Sequence, residues 1–209
     1  MSAKRRIRLV AFDVDGTLIR PDTCCEVIAR PLGRLPRMRE FEQFRTAAQI
    51  TAARTQMAGW YAGRSRDELC RPLADATLAP GVQAGFARLR QHGIATALVS
   101  ITWEFAVAWF ARSLDADYYV GTRLADDGTI EHFWPEDKAR WLRTLAVDLG
   151  IGLDQIAAVG DSSGDVPMLQ TVGLPYFVGH DLPLELHAVS HLPDGDIDRI
   201  AQSIIAAAR

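Results

Sequence analysis

Cysteine is scarce in this 209-residue chain: Cys24, Cys25 and Cys70 make an odd number with two adjacent, a poor basis for a disulfide framework. Their usage points to a reducing compartment, the cytoplasm. They also lack the spacing of a zinc site or of a Cys-His pair, so buried free thiols are expected. Neither sign of charge is in large excess, with 23 basic and 26 acidic residues and a net charge of -3. That balance gives no support to a nucleic-acid or anionic-membrane partner, and Lys4-Arg5-Arg6 reads as a solvated terminus. Long apolar runs are missing too, so no stretch reads as a membrane span. A secretory leader is unexpected, because Asp13 and Asp15 interrupt the first apolar run and no small-residue cleavage site follows. The five histidines, His92, His132, His180, His187 and His191, form no helical ligand pair. Five tryptophans read as packing, and there is no internal repeat. What is present is 48% hydrophobic residues, enough for one substantial core and a small accessory domain.

The first apolar run, Ile7 to Phe12, reads as a strand buried on both faces of a parallel sheet, yet it ends in Asp13-Val14-Asp15-Gly16-Thr17. Burying an unpaired carboxylate there costs several kcal/mol. Something must therefore compensate Asp13 and Asp15. At the strand period of two, both point to one side while Val14 points to the other.

Beyond this strand the pattern is helical. Thr23 to Glu26 and Ser65 to Glu68 are possible capping boxes, and residues 39–60 suit one long helix. Residues 21–78 contain no convincing strand, which predicts a helical insertion closed by Pro80-Gly81. From there α/β alternation sets in. Helices are predicted over 81–92, 102–114, 135–149, 165–172 and from 196 onward, with Gly93 and Gly150 closing two of them. Strands are predicted over 94–99, 118–124, 129–133, 156–159 and 176–179, with Asp126-Asp127-Gly128 as a hairpin turn.

In an open parallel sheet, ligands bind beyond the carboxyl ends of the strands. Asp13, Asp15, Ser100 and Asp161 all fall at such ends. With Asp165, the aspartates would form an all-oxygen cluster suited to a hard cation such as Mg2+, with Lys138 and a substrate phosphate balancing charge. Taken singly, Ser100 is also compatible with a loop hydroxyl, Lys138 with a solvated helix residue and Asp161 with a turn.

Asp-Val-Asp-Gly-Thr at 13–17, Ser100, Lys138 and Gly-Asp-Ser-Ser-Gly-Asp at 160–165 resemble, in order and spacing, the motifs of the haloacid dehalogenase (HAD) superfamily of phosphatases. The helical insertion and Gly121 to Leu124 resemble its phosphoserine phosphatase-like branch. The resemblance implies an α/β fold: a three-layer Rossmann-like core over residues 1–20 and 79–209, with a helical cap domain over 21–78. It implies a Mg2+-dependent phosphomonoesterase for a small phosphorylated metabolite. Asp13 would be the nucleophile and Asp15 the general acid and base. Thr17, Ser100 and Lys138 would hold the phosphate, and Asp13, Asp15, Asp161 and Asp165 would serve the metal directly or through another ligand. Asp22, with Arg45 or Arg54, would contact the rest of the substrate, although Asp22 and Thr23 serve equally well as helix N-caps. The chain departs from the pattern in two places. Ile101-Thr102 replaces a Gly-Gly after Ser100, and Gly164 replaces an Asn beside the metal. Phosphotransfer to an alcohol, or phospholigand binding with little turnover, are the alternatives.

Overall fold

A computed structural model describes residues 6–207. Lys4 and Arg5 lie outside the described residues, while Arg6 donates to the His92 carbonyl at 3.3 Å. The first strand, β1 (Leu9–Phe12), is fully buried and central. It pairs in parallel with β2 (Ala95–Trp103) on one side and β5 (Ile156–Gly160) on the other. Outward from β2 come β3 (Tyr118–Leu124) and β4 (Ile130–Glu131); outward from β5 come β6 (Leu174–Phe177) and β7 (Ser190–His191). Only the β3–β4 pairing is antiparallel among the named strands.

Alternation along the strands sends side chains to two helical layers. Val10, Phe12, Leu98 and Val159 pack with α5 (Val82–Gln91), α6 (Glu104–Leu114) and α9 (Ile197–Ala207). Leu9, Ala11, Val99 and Ala158 pack with α7 (Pro135–Asp148) and α8 (Val166–Leu169). With both faces covered, the strands can be apolar throughout, as read from the sequence. Gly93, at φ 65°, follows the last turn of α5 in the left-handed conformation that ends helices.

Between β1 and α5 the chain forms α1 (Cys24–Ala29), α2 (Leu35–Phe41), α3 (Ala47–Tyr61) and α4 (Arg66–Cys70). Both expected capping boxes are present, at Thr23 and at Ser65. The single helix expected over 39–60 is instead two. Thr46 caps the second, accepting from the Gln49 N–H while Gln49 reaches back to the Thr46 N–H at 3.2 Å. This segment leaves and rejoins the sheet side by side: Ala79 N–H donates to Leu18 O at 2.8 Å, and Arg20 N–H to Thr77 O at 3.1 Å.

Other boundaries differ from expectation. β2 continues past Ser100 through a shift in register, and β6 begins two residues earlier than its apolar signal. The helix expected over 165–172 spans only Val166–Leu169: a 3-10 turn, Ser163–Asp165, takes its first residue, and it ends at Leu169. The two-residue β7 had no recognisable signal.

Candidate active site

Asp13 follows β1 directly, its N–H donating to Val159 O at 3.0 Å. The chain then turns sharply, with the N–H groups of Leu18 and Ile19 converging on Val14 O at 2.8 and 3.1 Å. Gly16 makes this turn possible. Its φ is +81°, and a Cβ there would collide with the Asp161 carboxylate. Two strand ends are thereby brought close enough for their carboxylates to meet.

Carboxylate oxygens of Asp13, Asp161 and Asp165 lie within 4.8 Å of one another. Lys138, from the first turns of α7, reaches into the same place. Its Nζ donates to Asp13 Oδ1 and to Asp165 Oδ1, each at 2.6 Å. Burial disfavours the ammonium, but the two carboxylates outweigh it and raise the Lys138 pKa. Asp165 is fully buried and held by further donors: its Oδ2 accepts from the N–H groups of Asp161 and Ser162 at 3.1 Å, and from the Ser162 hydroxyl at 3.2 Å.

One ammonium for three carboxylates leaves negative charge unbalanced. Burial pushes Asp13 well above the usual carboxylate range against the pull of Lys138, and it pushes Asp161, beside Asp165, up to about 7. The donors are hard oxygens with an excess of negative charge, a set that fits a divalent cation.

Asp15 stands apart from this triad. Its Oδ1 accepts the Cys24 N–H at 2.7 Å, so its carboxylate does not join the other three. Burial raises its pKa, opposed by the Cys24 N–H and the Thr102 hydroxyl. Asp13, Asp15, Ser100, Lys138 and Asp161 all line one cavity of about 520 Å3. Ser100 is buried at the sheet edge, its Oγ 3.5 Å from the Thr102 N–H.

Two residues expected at the site have other partners in this structure. Thr17 is wholly buried and does not line the cavity; its hydroxyl donates to Asp161 Oδ1 at 3.0 Å and so orients that carboxylate. Asp22 is also off the cavity, accepting from Arg30 Nη2 at 2.7 Å, and the helix cap is Thr23. Arg45 and Arg54 do line the cavity. Arg45 Nη1 donates to Glu42 O and Phe44 O at 2.7 and 2.9 Å. Arg54, 7% exposed, donates to Ile101 O at 2.7 Å and Phe133 O at 3.2 Å, with His132 Nδ1 3.0 Å away. It also lies over the Trp134 ring, and burial lowers its pKa to about 10.

Two residues on the cavity wall escaped sequence reasoning. Thr102 contacts Cys25 Sγ at 3.3 Å and counteracts the burial of Asp15. Glu42 accepts the Thr23 hydroxyl at 2.8 Å, and burial pushes its carboxyl up to about 7. No periodic signal marks Glu42, whose partner is 19 residues away.

Fold and site together define a class: an enzyme with a doubly covered parallel sheet and a carboxylate centre at the carboxyl edge of its strands. The chain belongs to the haloacid dehalogenase-like hydrolase family, whose model matches residues 10–170. It is similar to a phosphoserine phosphatase of Streptomyces coelicolor, with 28% identity over 180 residues, 82% of this chain and 44% of that protein. The chain thus spans less than half of that relative's length. It is 30% identical to Protein CicA of Caulobacter vibrioides over 183 residues, 77% of this chain and 81% of that one. Its fold matches a solved substrate-bound phosphoserine phosphatase complex, with a TM-score of 0.77, 20% identity and coverage of 96% and 99%. No helix among the described residues is long and apolar enough to cross a membrane.

Proposed function

We propose that this chain is a cytoplasmic, Mg2+-dependent phosphomonoester hydrolase that releases phosphate from a small phosphorylated metabolite through an aspartyl-phosphate on Asp13. The observation that carries this reading is the buried Lys138 bridging Asp13 and Asp165 beside Asp161, in a cavity that Asp15 also lines. The family membership and the similarity to phosphoserine phosphatases support it.

Asp13, Asp161 and Asp165 would hold Mg2+, which when bound neutralises carboxylate and phosphate charge so that the two can approach. Asp13 attacks phosphorus as its bond to the leaving oxygen breaks. Asp15 gives its proton to that oxygen and then takes one from the water that cleaves the acyl phosphate. Its raised pKa suits the first of these tasks. Lys138 and Ser100 stabilise the equatorial oxygens of the transferring group. In this assignment residues 1–20 and 79–209 form the catalytic core, and 21–78 form a cap whose helices bear the wall facing the substrate's organic part.

Phosphate release from a panel of phosphomonoesters, phosphoserine included, tests the proposal with Mg2+ present and Asp13→Asn as control. Release from wild-type protein alone supports it. Equal release by both proteins refutes the mechanism, and phosphate recovered on an added alcohol moves the assignment to phosphotransfer.

A further inference from the structure

At about 520 Å3, the cavity is far larger than a phosphoryl group with two or three carbons requires, and lies in the size range of sites that enclose drug-sized ligands. Its lining includes a group of apolar side chains, Met38, Phe41, Phe44, Ile50, Met57 and Trp103. Side chains of this kind gain by covering hydrocarbon and offer nothing to a compact, doubly charged amino acid. The guanidinium best buried for gripping a carboxylate, that of Arg54, already serves two backbone carbonyls and His132. Both Nη2 hydrogens are committed to those carbonyls, so a bidentate fork on a substrate carboxylate would have to break one of these bonds.

Among the described residues Glu42 is the one carboxylate that residues 38–57 add to this lining, beside Arg45, whose Nη1 donates to Glu42 O and Phe44 O. The Thr23 hydroxyl fixes one carboxylate oxygen, and among the described residues Glu42 forms no salt bridge, although the Arg45 charge is near enough to act on it. A half-buried carboxylate so placed calls for a donor from outside the chain.

We infer that the organic half of the substrate is an apolar body bearing one hydrogen-bond donor, an ammonium or a hydroxyl, that meets Glu42. This rests on the phosphatase reading of the same cavity. Glu42 is then a specificity-determining residue, and Thr23 positions it.

The test uses Mg2+-loaded full chain and a matched series: 3-phenylpropyl phosphate, its 2-amino and 2-hydroxy derivatives, and phosphoserine. A donor-bearing phenylpropyl ester should exceed both the donor-free ester and phosphoserine in kcat/KM by about tenfold or more. Glu42→Leu should erase the advantage over the donor-free ester. Glu42→Gln, nearly isosteric and safer for folding, should lower it for the ammonium while keeping it for the hydroxyl, which tells the two donors apart. Phosphoserine turned over best, or equal rates with and without the donor, overturns the inference. Asp13-dependent hydrolysis of phenyl phosphate is run alongside. If it and every other ester are inert, the phosphatase reading fails and the inference with it; if it is hydrolysed, a wrong order among the series overturns the inference alone.

Discussion

Replacing Lys138 by Met keeps the unbranched stem but removes the ammonium, and with it the charge and both hydrogen bonds that join Asp13 to Asp165. Both carboxylates are essentially without solvent, at 5% and 0% exposure, and neither has another cation within ion-pair distance among the described residues. Breaking a buried pair by deleting one partner typically costs about 3–5 kcal/mol, because the other charge is left uncompensated. Here two are left, although the N–H groups of Asp161 and Ser162 still serve Asp165. The expected loss is therefore about 4 kcal/mol, a large part of the 5–15 or so kcal/mol that holds a typical domain together. Urea unfolding followed by tryptophan fluorescence, with a chelator present, measures it. Adding Asp13→Asn to Lys138→Met should recover at least about 1 kcal/mol, since it removes one of the stranded charges. Mg2+ should stabilise Lys138→Met as well. A loss below about 1 kcal/mol with no recovery in the double variant would refute the picture of Lys138 as the cation that compensates Asp13 and Asp165.

Gly16→Ala should destabilise the chain by about 1–3 kcal/mol and weaken Mg2+ binding in calorimetric titration, because the new Cβ at positive φ displaces Asp161; unchanged affinity would show the turn to be pliant. Glu42, raised to about 7 from an ordinary 4.5, binds its proton more tightly in the folded chain, so its contribution to stability falls as pH rises through that window. Wild-type protein should lose about 2 kcal/mol more than Glu42→Gln between pH 5 and pH 8, and parallel pH profiles would contradict the burial assigned to this group. Arg54→Lys keeps the charge but cannot reproduce the fork to Ile101 O and Phe133 O, and should cost about 1.5–3 kcal/mol in the same unfolding assay.

Much of this was legible because the chemistry and the fold share one signal. An apolar run ending in Asp13 and Asp15 marks both a buried strand and a site needing compensation, and the same holds for Asp161 after β5. Lys138 was legible as a helix-start residue, but not the pair of bonds it makes, which depend on how α7 packs against the sheet. The break between α2 and α3 carries a local signal, the Thr46-to-Gln49 capping box, which the apolar composition running through it masks. Thr17 and Asp22 lie off the cavity for a common reason. Each is a short polar side chain with a tertiary partner, Asp161 and Arg30, and a sequence pattern does not say which acceptor or donor wins. Glu42 was invisible because only the fold brings it to Thr23.

The segment between β1 and α5 starts and finishes at one place, where Leu18 and Arg20 exchange backbone hydrogen bonds with Ala79 and Thr77. The entropy of closing a loop grows only slowly with its length, so the sheet tolerates a longer or shorter excursion there at little expense. The excursion is in that sense a cassette. A different hairpin grafted between Arg20 and Thr77 would leave Asp13, Lys138, Asp161 and Asp165 untouched, provided it offered a donor to replace the Cys24 N–H on Asp15 and an apolar face to replace residues such as Ile28 and Met57, which share the core cluster with Val107 and Phe110. The residues that would cleave the bond and most of those that would choose the molecule thus sit on separable stretches of chain, free to diversify at different rates.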